Sequence, residues 1–282
     1  MKIIVTGVKG QLGYDVVREL INRGYKDTVG IDIEDLDITC NSSVITFFDI
    51  NKPDVIIHCA AYTAVDRAED NKEICMNVNV IGTKNLVEQA KKYGSKFVYI
   101  STDYVFDGNK DTLYETTDSP NPKSIYGESK YLGELEAMKY DKYFITRISW
   151  VFGKNGLNFV KTMLRLGKEK EYLNIVNDQI GSPTYTYDLS RLLVDLIETN
   201  KYGIYHVTNE GFCTWYEFTK EIFRLSKIDT PVYPINTSEY PTKAKRPMNS
   251  MMSKSKLDEN GFKRLPNWKD ALERYLKEIE VI

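Results

Sequence analysis

Short apolar runs alternate with amphipathic stretches through the first half of the chain. Residues Lys2–Thr6, Thr28–Asp32, Asp54–Ala60, Lys96–Thr102 and Tyr143–Ser149 are rich in Ile, Val, Phe and Tyr and are bounded by polar or turn residues, which predicts five buried strands. Between the first two, Leu12, Val16, Val17, Leu20 and Ile21 recur at helical spacing, and Gly24 follows as a stop. This βαβ alternation predicts an α/β fold of Rossmann type, a doubly wound parallel sheet covered on both faces through right-handed crossovers.

The rhythm changes after Trp150. Residues 158–170 read as a basic amphipathic helix with a solvated face, Leu189, Leu192, Leu193, Leu196 and Ile197 form a second helical stripe, and a strand-like Gly203–Thr208 follows. These patterns predict that residues 173–209 rejoin a principal domain made by 1–149. Residues 150–172 and 210–282 would then form a smaller, discontinuous lobe. Its prolines at 231, 234, 241, 247 and 266 suggest irregular chain up to a last helix, Trp268–Ile279. Such a lobe is expected to cap the crevice at the carboxyl ends of the strands, where open α/β sheets bind ligands.

Chemistry enters with the turn after the first strand, Gly7-Val8-Lys9-Gly10-Gln11-Leu12-Gly13. Gly7 allows the tight turn, Gly10 the approach of backbone to a phosphate and Gly13 the packing of helix on strand, while the helix N-terminus supplies N–H donors. Asp32 lies 19 residues beyond Gly13 at the end of the second strand, where a carboxylate accepts from ribose hydroxyls. The pattern predicts a bound nicotinamide dinucleotide, NADH or NADPH. Asp32 favours NADH because its charge opposes a 2′-phosphate, although Arg23 or Lys26 folding over the site would offset that. Tyr126 and Lys130, four residues apart, share one face of a helix. An ammonium near a phenol lowers its pKa and makes it a usable acid. Thr102, at the carboxyl end of the fourth strand, places a hydroxyl at the same level to share a substrate carbonyl.

Bulk properties narrow the remaining classes. With 282 residues and 42% apolar content the chain can bury one large core or a main domain and a lobe. Its 38 basic residues balance 40 acidic ones, so no broad basic surface points to nucleic acid. The apolar runs are too short for a membrane span, and Met1–Thr6 reaches Gly7 too soon for a signal-peptide core, so a cytoplasmic protein is expected. Cys40, Cys59, Cys75 and Cys213 form no CxxC and read as buried, inert thiols rather than a disulfide framework or a metal site. His58 and His206 fall in strand patterns and read as structural.

The residues resemble the extended short-chain dehydrogenase/reductases and, within them, the dTDP-4-dehydrorhamnose reductase subgroup. The glycine turn and Tyr126-Gly127-Glu128-Ser129-Lys130 mark the superfamily. Ala60-Ala61-Tyr62-Thr63-Ala64-Val65-Asp66, Ser101-Thr102-Asp103-Tyr104-Val105-Phe106, Arg147-Ile148-Ser149-Trp150, Asn177-Asp178-Gln179 with Pro183-Thr184, and Arg246-Pro247 with Asn249-Ser250 carry the subgroup, over nearly the whole chain.

By position, the resemblance implies that Gln11 and Leu12 lie under the pyrophosphate, that Ala60, Ala61 and Tyr62 line the nicotinamide side, and that Asp37 and Ile38 border the adenine. It implies that Tyr126 is the proton donor, Lys130 the ribose-binding partner, and Thr102, Asp103 and Trp150 sugar contacts. Arg246 suits a diphosphate or, equally, a salt bridge anchoring the lobe. Asp15 stands where some members have Glu and use it in a magnesium-linked dimer; its shorter side chain leaves that contact, and a monomer or homodimer, open. The implied reaction reduces the C4 keto group of a dTDP-4-keto-6-deoxy-L-sugar to dTDP-L-rhamnose. A 4,6-dehydratase shares the fold but places an acid where this chain has Tyr104. A non-catalytic dinucleotide sensor is the other alternative.

Overall fold

The computed structural model describes residues 1–282. Its centre is a six-stranded sheet of β1 (Ile3–Thr6), β2 (Thr28–Ile31), β3 (Val55–His58), β4 (Lys96–Thr102), β5 (Tyr143–Ile148) and β6 (Gly203–His206), in the order β6-β5-β4-β3-β1-β2. Every pairing is parallel. The chain runs outward from β1 to β2 and then returns to the other side of β1, so the strand order reverses between β1 and β3. A crevice opens at such a switch point, beyond the carboxyl ends of the strands.

The alternation along each strand sorts side chains onto two faces. Ile3, Val5, Val55, Ile57, Val98 and Ile100 face one way, packed with Leu12, Val16 and Leu20 of α1 (Gln11–Asn22). Ile4, Ile56, Phe97 and Tyr99 face the other way, against α2 (Asn41–Asn51), α3 (Thr83–Tyr93) and α4 (Ile125–Ala137). The helix α4 starts where the Ser124 hydroxyl accepts from the Gly127 N–H at 3.1 Å, a side-chain cap that satisfies one orphan donor.

The lobe has its own core. Phe152 and Leu173 pack with α5 (Phe159–Glu169), and Tyr185 joins them; α6 (Thr186–Ile197) instead lies on the main sheet beside α1. The lobe core is completed by α7 (Trp215–Ser226) and α8 (Trp268–Glu278). The boundary expected at 173 therefore shifts. Leu173–Val176 pairs with Val232–Ile235 inside the lobe, and the return to the sheet begins at Thr186. The stretch expected to be irregular contains α7, whose capping box, Thr214 and Glu217, is present in the structure and is a signal readable from sequence. The expectation of four buried thiols holds for Cys75 and Cys213, whereas Cys59 is half-buried and Cys40 exposed. Hydrogen bonds from Ser42 and Ser43 push the Cys40 pKa down to about 7.

Candidate active site

The crevice is a cleft of about 610 Å³. It is lined by Gly7, Gly10, Gln11, Leu12, Gly13, Asp32, Asp37, Ile38, Ala60, Ala61, Tyr62, Thr102, Asp103, Tyr126, Lys130 and Trp150. Arg246 lies in an adjoining cavity of about 530 Å³, which shares Asp103, Tyr104 and Trp150 with the first. The cleft thus gathers residues from the ends of five of the six parallel strands and from α4, and the adjoining cavity adds Arg246 from a distant segment of the lobe.

At one end of the cleft the glycine turn is held too tightly for any side chain. Gly7 has φ +71, and a Cβ there would meet the Ala60 backbone at 2.7 Å; a Cβ on Gly13 would stand 2.3 Å from the Gly7 carbonyl oxygen. Gly10, which precedes α1, offers no side-chain cap, so the first N–H groups of the helix are left for an anion, which the helix dipole also favours. Asp32 follows β2 directly. Its carboxylate accepts from the Lys9 backbone N–H at 2.8 Å and from the Ile33 N–H at 2.9 Å, which ties the end of β2 to the turn. The Lys9 ammonium pairs with Glu34 at 2.8 Å beside it. Arg23 is committed elsewhere, to Glu19 at 2.7 Å and Asp195 at 2.6 Å. These features fit a dinucleotide: a backbone cradle for its pyrophosphate and a carboxylate for its ribose.

At the other end Tyr126 and Lys130 project from α4 toward β4. Lys130 is buried, with its ammonium 4.1 Å from the centroid of the Tyr99 ring. Burial pushes its pKa down to about 7, opposed by the charge of Glu134. Burial pushes the Tyr126 phenol well above 10, and the group that draws it back is the Thr102 hydroxyl. Burial thus moves the two groups in opposite directions, raising the phenol and lowering the amine, with Thr102 opposing the first shift and Glu134 the second. The Thr102 hydroxyl donates to Asp103 at 2.9 Å, and the other Asp103 oxygen accepts from Ser250 at 2.5 Å. Burial raises the Asp103 pKa to about 6.

Between the cavities stands Trp150, a non-glycine residue with φ +49, a backbone conformation that costs free energy and persists only where its surroundings enforce it. Its ring stacks on Trp215 with centroids 3.6 Å apart, and the Trp215 indole N–H donates to Gln179 at 3.2 Å. Neither Trp215 nor the contact of Gln179 was singled out from the sequence, because the stack depends on α7 folding back over the lobe.

The remaining expectations resolve as structure. His58 is buried between Thr6 at 2.8 Å and Thr83 at 3.2 Å, and burial pushes its pKa down to about 3. His206 is buried as well, with Phe106 edge-on to its ring. Asp15 faces inward between α1 and α6, fully buried, with Thr186 donating to it at 2.5 Å.

The family described as the RmlD substrate binding domain matches residues 1–281. A dTDP-4-dehydrorhamnose reductase of Aggregatibacter actinomycetemcomitans is 40% identical over 96% of this chain and 97% of its own length. The chain belongs to the dTDP-4-dehydrorhamnose reductase (RmlD) family. Another relative, the spore coat polysaccharide biosynthesis protein SpsK of Bacillus subtilis, is 40% identical over 98% of this chain and 97% of its own. The crystal structure of a dTDP-4-dehydrorhamnose reductase from Bacillus anthracis in complex with NADP is 46% identical and superposes with a TM-score of 0.95, covering 99% of this chain and all of that one. The family match therefore takes in the lobe as well as the sheet.

Proposed function

We propose that this protein reduces the C4 keto group of dTDP-4-dehydrorhamnose to give dTDP-L-rhamnose, using a nicotinamide dinucleotide. One observation carries the reading: Thr102, Tyr126 and Lys130 line the same cleft as the glycine turn, and that cleft opens at Trp150 into a second cavity bearing Arg246. The bound cofactor supplies the hydride. Tyr126 delivers the proton to the carbonyl oxygen, Thr102 holds that oxygen, and Lys130 orients the ribose and stabilises the phenolate left behind. Asp103 and Trp150 border the sugar, and Arg246 faces the diphosphate.

Asp32 favours NADH through the charge it sets against a 2′-phosphate. A second reading, NADPH, is favoured by the NADP complex of the Bacillus anthracis relative and by the exposed Lys9 ammonium beside Asp32. We further propose residues 1–149 and 186–209 as the dinucleotide-binding domain and the rest as the substrate lobe, with the protein acting in the cytoplasm as a monomer or homodimer. No helix is long and apolar enough to cross a membrane.

The direct test mixes the protein with NADH or NADPH and enzymatically made dTDP-4-keto-L-rhamnose and follows loss of the reduced cofactor's absorbance. Consumption is expected. With dTDP-glucose and NAD, no 4-keto-6-deoxy product should form, since the position a dehydratase gives to an acid holds Tyr104, whose hydroxyl accepts from Arg246 at 2.9 Å. Tight cofactor binding without turnover of any keto sugar would favour a dinucleotide sensor instead.

A further inference from the structure

The guanidinium of Arg246 is not free in the second cavity. Its Nη2 donates to Asp66 Oδ2 at 2.6 Å and its Nη1 to the Tyr104 hydroxyl at 2.9 Å. The second oxygen of Asp66 accepts from the backbone N–H of Ala244 at 3.1 Å, two residues before Arg246. Asp66 thus holds both the side chain and the chain that carries it. It opens a short helix, Val65–Asp70, that follows the Ala60–Tyr62 wall of the cofactor cleft, and it lies 180 residues from Arg246 in sequence. A carboxylate on the main domain therefore fixes a cation on the lobe at the junction of the two cavities.

Stability alone does not account for this arrangement. The pair is 28% and 43% exposed, and ion pairs in contact with water stabilise a fold little. What the geometry does supply is order. Arginine is long and flexible, and ordering it at the moment of binding weakens affinity; its fork matches phosphate oxygens only when its plane is set. With Asp66 holding Nη2 and Tyr104 holding Nη1, the plane is set before a ligand arrives.

We propose that Asp66 is the positioning residue for Arg246, pre-ordering its guanidinium for the diphosphate of the nucleotide sugar. The inference rests on the reading of Arg246 as a diphosphate ligand. Asp66 would touch neither the substrate nor the reacting atoms; it acts through Arg246.

Asp66→Asn is the informative variant. It is nearly isosteric, it keeps an acceptor for Ala244, and it turns an amide N–H₂ toward the guanidinium where an acceptor stood. The KM for dTDP-4-keto-L-rhamnose, and the Kd for dTDP alone by calorimetry, should each rise roughly five- to tenfold, the fold-change of immobilising one long side chain. The kcat should fall much less, and cofactor affinity should hold. Arg246→Ala should raise the same two constants at least as far, and the double variant should be no worse than Arg246→Ala. Unchanged constants in Asp66→Asn, with Arg246→Ala impaired, would overturn the positioning role while leaving Arg246 a ligand. Fully additive effects in the double variant would also overturn it, since Asp66 would then act independently. If Arg246→Ala leaves dTDP binding intact, the diphosphate reading falls and takes the inference with it.

Discussion

Arg147 and Glu134 meet in a bidentate ion pair beneath the cleft, Nε to Oε1 at 2.9 Å and Nη2 to Oε2 at 2.7 Å, with the two side chains 2% and 0% exposed. The Ser101 hydroxyl donates to the same Glu134 at 2.5 Å. The pair joins the end of β5 to α4, the helix that carries Tyr126 and Lys130. Because two charges buried together need one another, Glu134→Ala should cost about 3–5 kcal/mol of stability by leaving the guanidinium uncompensated. Replacing both at once, Glu134→Leu with Arg147→Met, should cost far less. Urea unfolding of the two variants makes the comparison, and equal losses would contradict it.

Tyr126→Phe keeps the ring and deletes the acidic proton. Turnover should drop roughly 10²-fold or more while cofactor affinity changes little. A variant that turns over at the normal rate would remove Tyr126 from the reaction.

Lys130 predicts a pH dependence of cofactor binding. Its amine is held near pKa 7 in the open cleft, and the protonated form is the stronger donor to ribose hydroxyls. Binding should therefore raise its pKa and take up protons above pH 7, so that affinity falls as pH rises from about 7 to about 9. Dissociation constants across that range, with calorimetry in buffers of different ionisation enthalpy, measure both effects. Lys130→Met should bind more weakly and without the slope.

Asp103 carries a stability signature of opposite origin. Burial raises its pKa from 3.8 to about 6, so between those values the native chain holds a proton that the unfolded chain has lost. Its contribution is present below about pH 4 and is lost as pH rises through about 6. Relative to wild type, Asp103→Asn should gain about 2 kcal/mol between pH 4 and pH 7, while its KM for the sugar rises. Parallel stability curves for the two proteins would exclude the buried charge.

Cofactor choice is tested at Asp32. Its alanine variant should weaken NADH by about 1.5–3 kcal/mol, the range for hydrogen bonds to a charged group, and NADPH by less. Since Asp32 also accepts from the Lys9 N–H, the variant disturbs the turn for both cofactors. The ratio of the two kcat/KM values cancels that common loss, and a ratio that does not move toward NADPH would show that Asp32 does not read the ribose.

The strands and the glycine turn were legible along the chain because their causes are local. A strand buried on both faces needs a continuous apolar run, and β4 was predicted at its observed bounds, Lys96–Thr102. The Tyr126 and Lys130 pairing follows from one turn of one helix. What could not be read lies between segments that meet only after folding. Pro234 suggested irregular chain, yet Val232–Ile235 pairs with Leu173–Val176 at a position where proline's missing N–H is tolerated on a two-stranded edge. Tyr126 with Lys130 could be read as a phenol beside a cation, but the burial that pushes the phenol up and the amine down is a property of the whole cleft. Arg246 left a ligand and a salt bridge as equal alternatives, and only the return of the lobe over Val65–Asp70 set Asp66 against it. Periodicity records which side chains leave water; charge, pKa and contact depend on what the rest of the chain brings to meet them.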